Sequence, residues 1–175
     1  MFRALDTSQV IVLILAALAC WFDLRTRHIP NLLTFGGAAL ALIYSLFSHG
    51  AAGLFISLGG WLTGVALFLP FLLLGGMGAG DVKLIGCIGA WLGPEAAFWV
   101  ALYSMIAGGV MALALALATG YLGEALLNVF MLLGHWRKAG LKPLPALTLA
   151  GTSRGPRLPY ALPIAAGTLA VIWLR

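Results

Sequence analysis

The sequence predicts an all-α integral membrane protein of about six transmembrane helices. Three observations lead there. The chain is 62% hydrophobic and only 9% charged, with a mean hydropathy of +1.06, far from the composition of soluble globular domains. Residues 29–80 contain no Asp, Glu, Lys or Arg, and apolar runs near 20 residues cross a bilayer as helices because lipid offers the backbone no hydrogen-bond partner. The ionisable residues lie between the apolar runs. The net charge of +5 therefore reads as membrane orientation, not as a nucleic-acid surface, and 175 residues read as one polytopic domain over 1–175.

The first apolar run, 7–22, follows Arg3 and has Ala17 and Ala19 near its end, as a signal peptide would. Asp23-Leu24-Arg25-Thr26-Arg27 follows at once, and basic residues after a span hold that end in the cytoplasm, so the run reads as a retained helix. Span two is expected over 31–47, with Pro30 suited to a first helical turn, and Ser48-His49-Gly50 as the turn into span three, 51–74. A loop, Gly75-Gly76-Met77-Gly78-Ala79-Gly80, leads to a short span four over 82–92, broken by Gly93-Pro94. Span five covers 96–118, residues 121–135 suggest an interfacial helix, the basic loop 136–158 follows, and the last span covers 158–174 with Pro159 and Pro163 inside it.

With six spans and the N-terminus outside, the C-terminus is outside too. Inner loops then carry Arg25, Arg27, Lys83, Arg137, Lys138, Lys142, Arg154 and Arg157, against Arg3 and Arg175 outside: eight basic residues against two. The same parity brings Asp23 and Asp81 to the cytoplasmic face. Spans one and four are shorter than the roughly 20 residues a bilayer needs, so these acids are expected as flanking residues drawn toward membrane depth.

Asp81 is the most informative residue. An ionisable group at that depth costs roughly 2.5 kcal/mol or more and marks function more often than packing. The glycines before it are not a dinucleotide fingerprint, since no strand precedes them and the third falls one place early, and Gly80-Asp81-Val82-Lys83 lacks the Gly-Lys-Ser/Thr of a phosphate loop. They permit close backbone approach, so an extended substrate could lie across them. Gly59, Gly60, Gly108 and Gly109 read instead as helix-packing contacts. Ion pairs of Asp23 with Arg25 or Arg27, and of Asp81 with Lys83, are the plainer reading of each acid alone. Together the acids suggest more: two neighbouring carboxylates cannot easily both ionise, which yields one base and one acid for activating water. Cys20 and Cys87 stand singly in apolar runs, no Ser-His or Cys-His pairing competes, and no metal-ligand spacing occurs.

Gly78-Ala79-Gly80-Asp81-Val82-Lys83-Leu84 resembles the G-x-G-D-x-K-L signature of the type IV prepilin peptidases, a branch of the G-x-G-D membrane aspartyl proteases. Asp23-Leu24-Arg25-Thr26-Arg27-His28-Ile29-Pro30-Asn31 resembles the family's first-acid segment. The resemblance implies that Asp23 and Asp81 are catalytic, that Gly78 and Gly80 shape the loop, and that Lys83, Arg25, Pro30 and Asn31 support them. It implies no metal and no cofactor. Large bifunctional members carry an insertion with paired C-x-x-C motifs after span one and also N-methylate the pilin; here span one leads almost directly to span two. The chain thus resembles the short peptidases of tight-adherence (Flp/Tad) pilus systems. The implied activity is removal of the short basic leader of prepilins and pseudopilins at the cytoplasmic face of the bacterial inner membrane. The implied partners are the pilin helix and, for the basic loop, anionic lipids. Pro159-Tyr160-Ala161 resembles a Pro-aromatic-Gly feature of the family but has Ala for Gly, and the sequence assigns it no catalytic role. Other classes are a small proton- or cation-coupled transporter or channel subunit, which internal repeats would favour, and a structural subunit of a secretion complex.

Overall fold

The computed structural model describes residues 5–73, 76–120, 122, 123, 127, 130 and 159–174, and every regular element among them is helical. Three helices are long and apolar enough to cross a membrane: Thr7–Thr26, Leu32–Leu73 and Pro94–Ala118. The readings of 121–135 as an interfacial helix and of 136–158 as a basic loop fall almost wholly outside the described residues.

Helix α1 spans Thr7–Thr26. Asp6 caps it by accepting from the Gln9 amide at 2.7 Å while Gln9 Oε1 accepts from the Asp6 amide at 3.1 Å, a reciprocal box that satisfies two first-turn donors. At the other end, Arg27 adopts φ 52° and its N–H reaches the Asp23 carbonyl at 2.9 Å. The Thr26 hydroxyl bonds the carbonyls of Phe22 and His28. These caps carry the helix a full turn past the apolar run. Its 20 residues give about 30 Å, the thickness of the hydrocarbon core, so the expectation of a short first span is corrected and Asp23 lies within the helix, not beyond it.

A π-helical turn, Leu32–Gly36, opens the second long element and continues into α2, Gly37–Leu73. The 42 residues from Leu32 to Leu73 would reach about 63 Å as one rod, twice a bilayer. The rod is broken. Gly50 has φ 65° and ψ −154°, outside helical geometry, within the Ser48-His49-Gly50 segment that the sequence reads as a turn. A Cβ on Gly53 would lie 2.5 Å from the Ser45 carbonyl oxygen, whereas eight residues along an unbroken helix put them about 12 Å apart. Segments 37–49 and 51–73 therefore fold back as a helical hairpin.

Both arms clasp α3, Ala79–Leu92. From the first arm, Tyr44 stacks at 5.5 Å on Trp91, whose indole N–H donates to the Gly37 carbonyl at 3.0 Å. From the second, Ser57 donates to the Ala90 carbonyl at 2.7 Å, and Gly60 and Gly64 meet the backbone of Gly89 and Ile85 so closely that neither has room for a Cβ. Gly60 thus has the packing role read for it. Gly59 and Gly109 do not: a Cβ would meet only Pro94 at 3.9 Å on the first and nothing within 4 Å on the second. Val82, Leu84, Ile85, Cys87, Ile88 and Ala90 are all buried, so α3 beyond its first turn is enclosed on every side, as its apolar run from Leu84 requires. At 14 residues, about 21 Å, it is too short to cross a bilayer alone.

Gly93, at φ 85°, and Pro94 turn the chain into α4, Pro94–Ala118, and Ala161–Leu174 forms α5. α5 packs on α4, where Gly167 lies against Ser104, and on α1. It starts at Ala161, so Pro159 precedes it instead of lying inside it; a proline suits the residues before a helix better than its interior.

Candidate active site

A cleft of about 840 Å³ opens where α1, the loop before α3, α4 and the start of α5 converge. Asp23 lines it from α1 and Arg27 from the residue that caps α1, Met77, Gly78 and Asp81 from the loop and the first turn of α3, and Phe71 from the end of α2. The far wall is one face of α4, Met105, Gly108, Gly109 and Ala112, closed by Pro159 and Tyr160 before α5. The two acids come from sequence positions far apart and share this one space.

Each carboxylate has a backbone anchor. Asp23, buried at 9% exposure, accepts the N–H of Ala161 at 3.2 Å on Oδ2. Asp81 sits at the third position of α3, and its Oδ2 accepts the N–H of Gly78 at 3.3 Å, where the partial positive charge of a helix N-terminus also favours a carboxylate. Burial opposes this. It pushes Asp81, which lies ahead of the apolar run of α3, up to about 6, with the charge of Asp23 as second cause and the Gly78 hydrogen bond pulling the other way. Tyr160, also ahead of its helix, is raised by burial and then by the charge of Asp81. The two acids and the phenol thus form one electrostatic group. A pair in which the charge of one carboxylate makes the other harder to ionise can activate water with one member while the other donates. Among the described residues, no group of three or more His, Cys, Asp and Glu is arranged to hold a metal ion.

The supporting residues named from sequence divide. Gly78 lines the cleft; Gly80 instead lies against Ile29, which a Cβ would meet at 3.4 Å. Lys83 does not pair with Asp81: its Nζ donates to Asn31 Oδ1 at 3.0 Å and lies 5.0 Å from the Phe35 ring centroid. Lys83 and Asn31 thereby tie α3 to the π-helical turn, and the Pro30 carbonyl takes the amides of Leu33 and Thr34 at the start of that turn. Arg25 stacks on Trp21 at 4.9 Å, away from the acids. Arg27 turns into the cleft in its place, which no spacing argument could show because it follows from a left-handed backbone at one residue.

Tyr160 and the Ala161 amide are the parts of the site that sequence reasoning passed over. The signal was present: a Pro-Tyr step just before an apolar helix places that helix's unpaired first-turn N–H groups beside an aromatic ring. Cys20 belongs here too, its thiol donating to the Ala161 carbonyl at 3.3 Å, while Cys87 is buried against Gly37, away from the acids.

The model of the type IV leader peptidase family matches residues 10–113, more than half of the chain and a span that includes both acids and the glycine loop. No curated protein and no solved structure matches the chain.

Proposed function

The chain belongs to the type IV leader peptidase family, a family of proteases, and from that premise we propose that it is a membrane-embedded aspartyl endopeptidase with Asp23 and Asp81 as its catalytic pair. One observation carries the proposal: the two carboxylates line one cleft, and the charge of one raises the other.

In the reaction Asp81, whose carboxyl is pushed up to about 6 by burial first and then by the charge of Asp23, carries the proton and polarises the scissile carbonyl, and the Asp23 carboxylate takes a proton from water. Hydroxide adds to the carbonyl carbon, the proton gained by Asp23 passes to the leaving amine, and the C–N bond breaks. Protons balance within the pair, so neither metal nor cofactor is required. The glycines of the loop and of α4 leave room for a peptide backbone beside the acids.

The substrate is a prepilin or pseudopilin of the Flp type, cut just before its hydrophobic helix. That helix packs among the spans in lipid, and its short basic leader stays in water at the cytoplasmic face of the inner membrane. Six spans with both termini outside give that placement, through the eight-to-two basic asymmetry. The segment between α1 and the π-helical turn is only a few residues long, leaving no soluble insertion there to hold a methyl donor, so the activity is cleavage without N-methylation.

The test is the purified chain in liposomes with a candidate Flp-type prepilin, read by mass spectrometry. A product lacking only its leader is expected; intact prepilin, with the enzyme folded and inserted, would overturn the proposal.

A further inference from the structure

Residue 161 is held to α1 by both of its backbone polar groups. Its N–H donates to Asp23 Oδ2 at 3.2 Å, and its carbonyl accepts from the Cys20 thiol at 3.3 Å, one turn earlier on the same helix face. Ala161 is fully buried, so no solvent water can replace that amide on the carboxylate. The N–H is also free of helical duty: the first backbone bonds of α5 run from Leu162 to Pro159 and from Ile164 to Tyr160.

What fixes residue 161 is the ring before it. Tyr160 lies edge-on to Phe68, with centroids 6.1 Å apart at 71°, and rests on α4 at Gly108. A Cβ on Gly108 would stand 2.7 Å from the phenolic oxygen and 2.9 Å from two ring carbons, so the ring occupies space that only glycine leaves. The same ring borders the cleft beside Asp81.

We propose that Tyr160 and Ala161 are the positioning residues of the acid pair: the ring, keyed into Gly108 and Phe68, sets the first turn of α5 so that the Ala161 amide holds Asp23 Oδ2 and leaves the other carboxylate oxygen to the water that attacks. The inference rests on the aspartyl-protease reading and adds to it a part that sequence reasoning left without a role. A carboxylate free to rotate about its side chain must find its reactive orientation in each turnover, and misplacement by an ångström can cost about 100-fold in rate. The amide removes that search.

The experiment measures kcat and KM for prepilin cleavage in liposomes, at equal amounts of folded enzyme. Ala161→Pro deletes the N–H and puts the proline ring in its place, at the first position of a helix, which proline tolerates. It is expected to lower kcat at least about 10-fold with KM within about twofold, while Ala161→Gly, which keeps the N–H, stays within about threefold. Tyr160→Phe, which keeps the ring, is expected within about threefold of the parent and Tyr160→Leu at least about 10-fold below it in kcat. Gly108→Ala suits a helix and should insert normally, yet it displaces the ring; it should lower kcat alone and add nothing in the Tyr160→Leu background. A kcat loss from Ala161→Pro or Tyr160→Leu below about twofold, a loss confined to KM, or additive losses in the Gly108/Tyr160 cycle would overturn the positioning role. Should Ala161→Pro fail to fold, that cycle decides by itself. Failure of the underlying reading looks different: cleavage would then persist in Asp23→Asn or Asp81→Asn.

Discussion

Asp81 is held at about 6 against an ordinary 3.8, and the proton it keeps can be measured directly. A raised carboxyl makes folding easier in the protonated form, so this stabilisation is full below pH 3.8 and disappears as pH rises through about 6. The rise from 3.8 to about 6 corresponds to about 3 kcal/mol at most, and partial exposure to the cleft reduces it. For activity the sign is the same. If protonated Asp81 is the form that polarises the carbonyl, about one enzyme in ten carries it at pH 7 and about one in a hundred at pH 8, so kcat/KM should fall about tenfold per unit above pH 6. Infrared titration of the protonated carboxyl band, identified by its loss in Asp81→Asn, should show a midpoint near 6. In Asp23→Asn the midpoint should drop but stay above 3.8, because burial is the larger cause and the Asp23 charge the smaller. A midpoint near 4 in the parent protein, or a rate flat from pH 6 to 8, would refute the shared-proton argument.

Asp23→Asn and Asp81→Asn should each lower cleavage at least about 100-fold while the protein still inserts and binds the pilin helix, and Asp→Glu at either site should lose about as much through misplacement; the fraction of pilin processed by equal amounts of enzyme tests both. Arg25→Ala should change the rate little, since Arg25 stacks on Trp21 outside the cleft, whereas Arg27→Ala, which alters the cleft wall, should change it more in the same assay. Reporter fusions should place both termini outside and residues 137–157 in the cytoplasm; a cytoplasmic C-terminus would remove the case for acids on the cytoplasmic face. Incubation with a labelled methyl donor should leave the new pilin N-terminus unlabelled, and a chelator should leave cleavage intact.

Composition alone made the helical membrane class legible, because 62% apolar residues with 9% charge leave no soluble alternative. The acid pair was legible for the same reason: charge is so rare in this chain that two isolated carboxylates next to turn residues are conspicuous. Helix ends were not. The extension of α1 to Thr26 depends on an αL residue at Arg27, and a run of Leu, Arg and Thr carries no apolar signal that it is still helical. The contacts of the supporting residues were not legible either, because helix geometry and not distance along the chain decides which side chains meet. Lys83 is two residues from Asp81, yet a helix turns such neighbours about 200° apart, and Lys83 meets Asn31 and Phe35 instead. Tyr160 and Ala161 stayed hidden because the contact that gives them meaning joins positions 138 apart.

The geometry of α3 explains why a glycine-rich sequence surrounds the acid. A 14-residue helix cannot reach both membrane faces, so its N-terminal turn, with Asp81, ends short of the interface unless neighbouring helices carry it there. Those neighbours do so through backbone contact. Gly60 against Gly89 and Gly64 against Ile85 bring α2 and α3 closer than any side chain would allow, and in lipid such contact supplies the packing that hydrophobicity cannot. The clasp of the α2 hairpin holds α3 along most of its length, the Lys83–Asn31 bond ties its first turn to the π-helical turn, and Gly78 caps it from the loop. Asp81 is thereby fixed by α2, while Asp23 is fixed by α5 through Ala161. Two acids held by different helices stand where the packing of those helices puts them, so the geometry of the pair follows from the contacts of α3 with α2 and of α5 with α1 and α4.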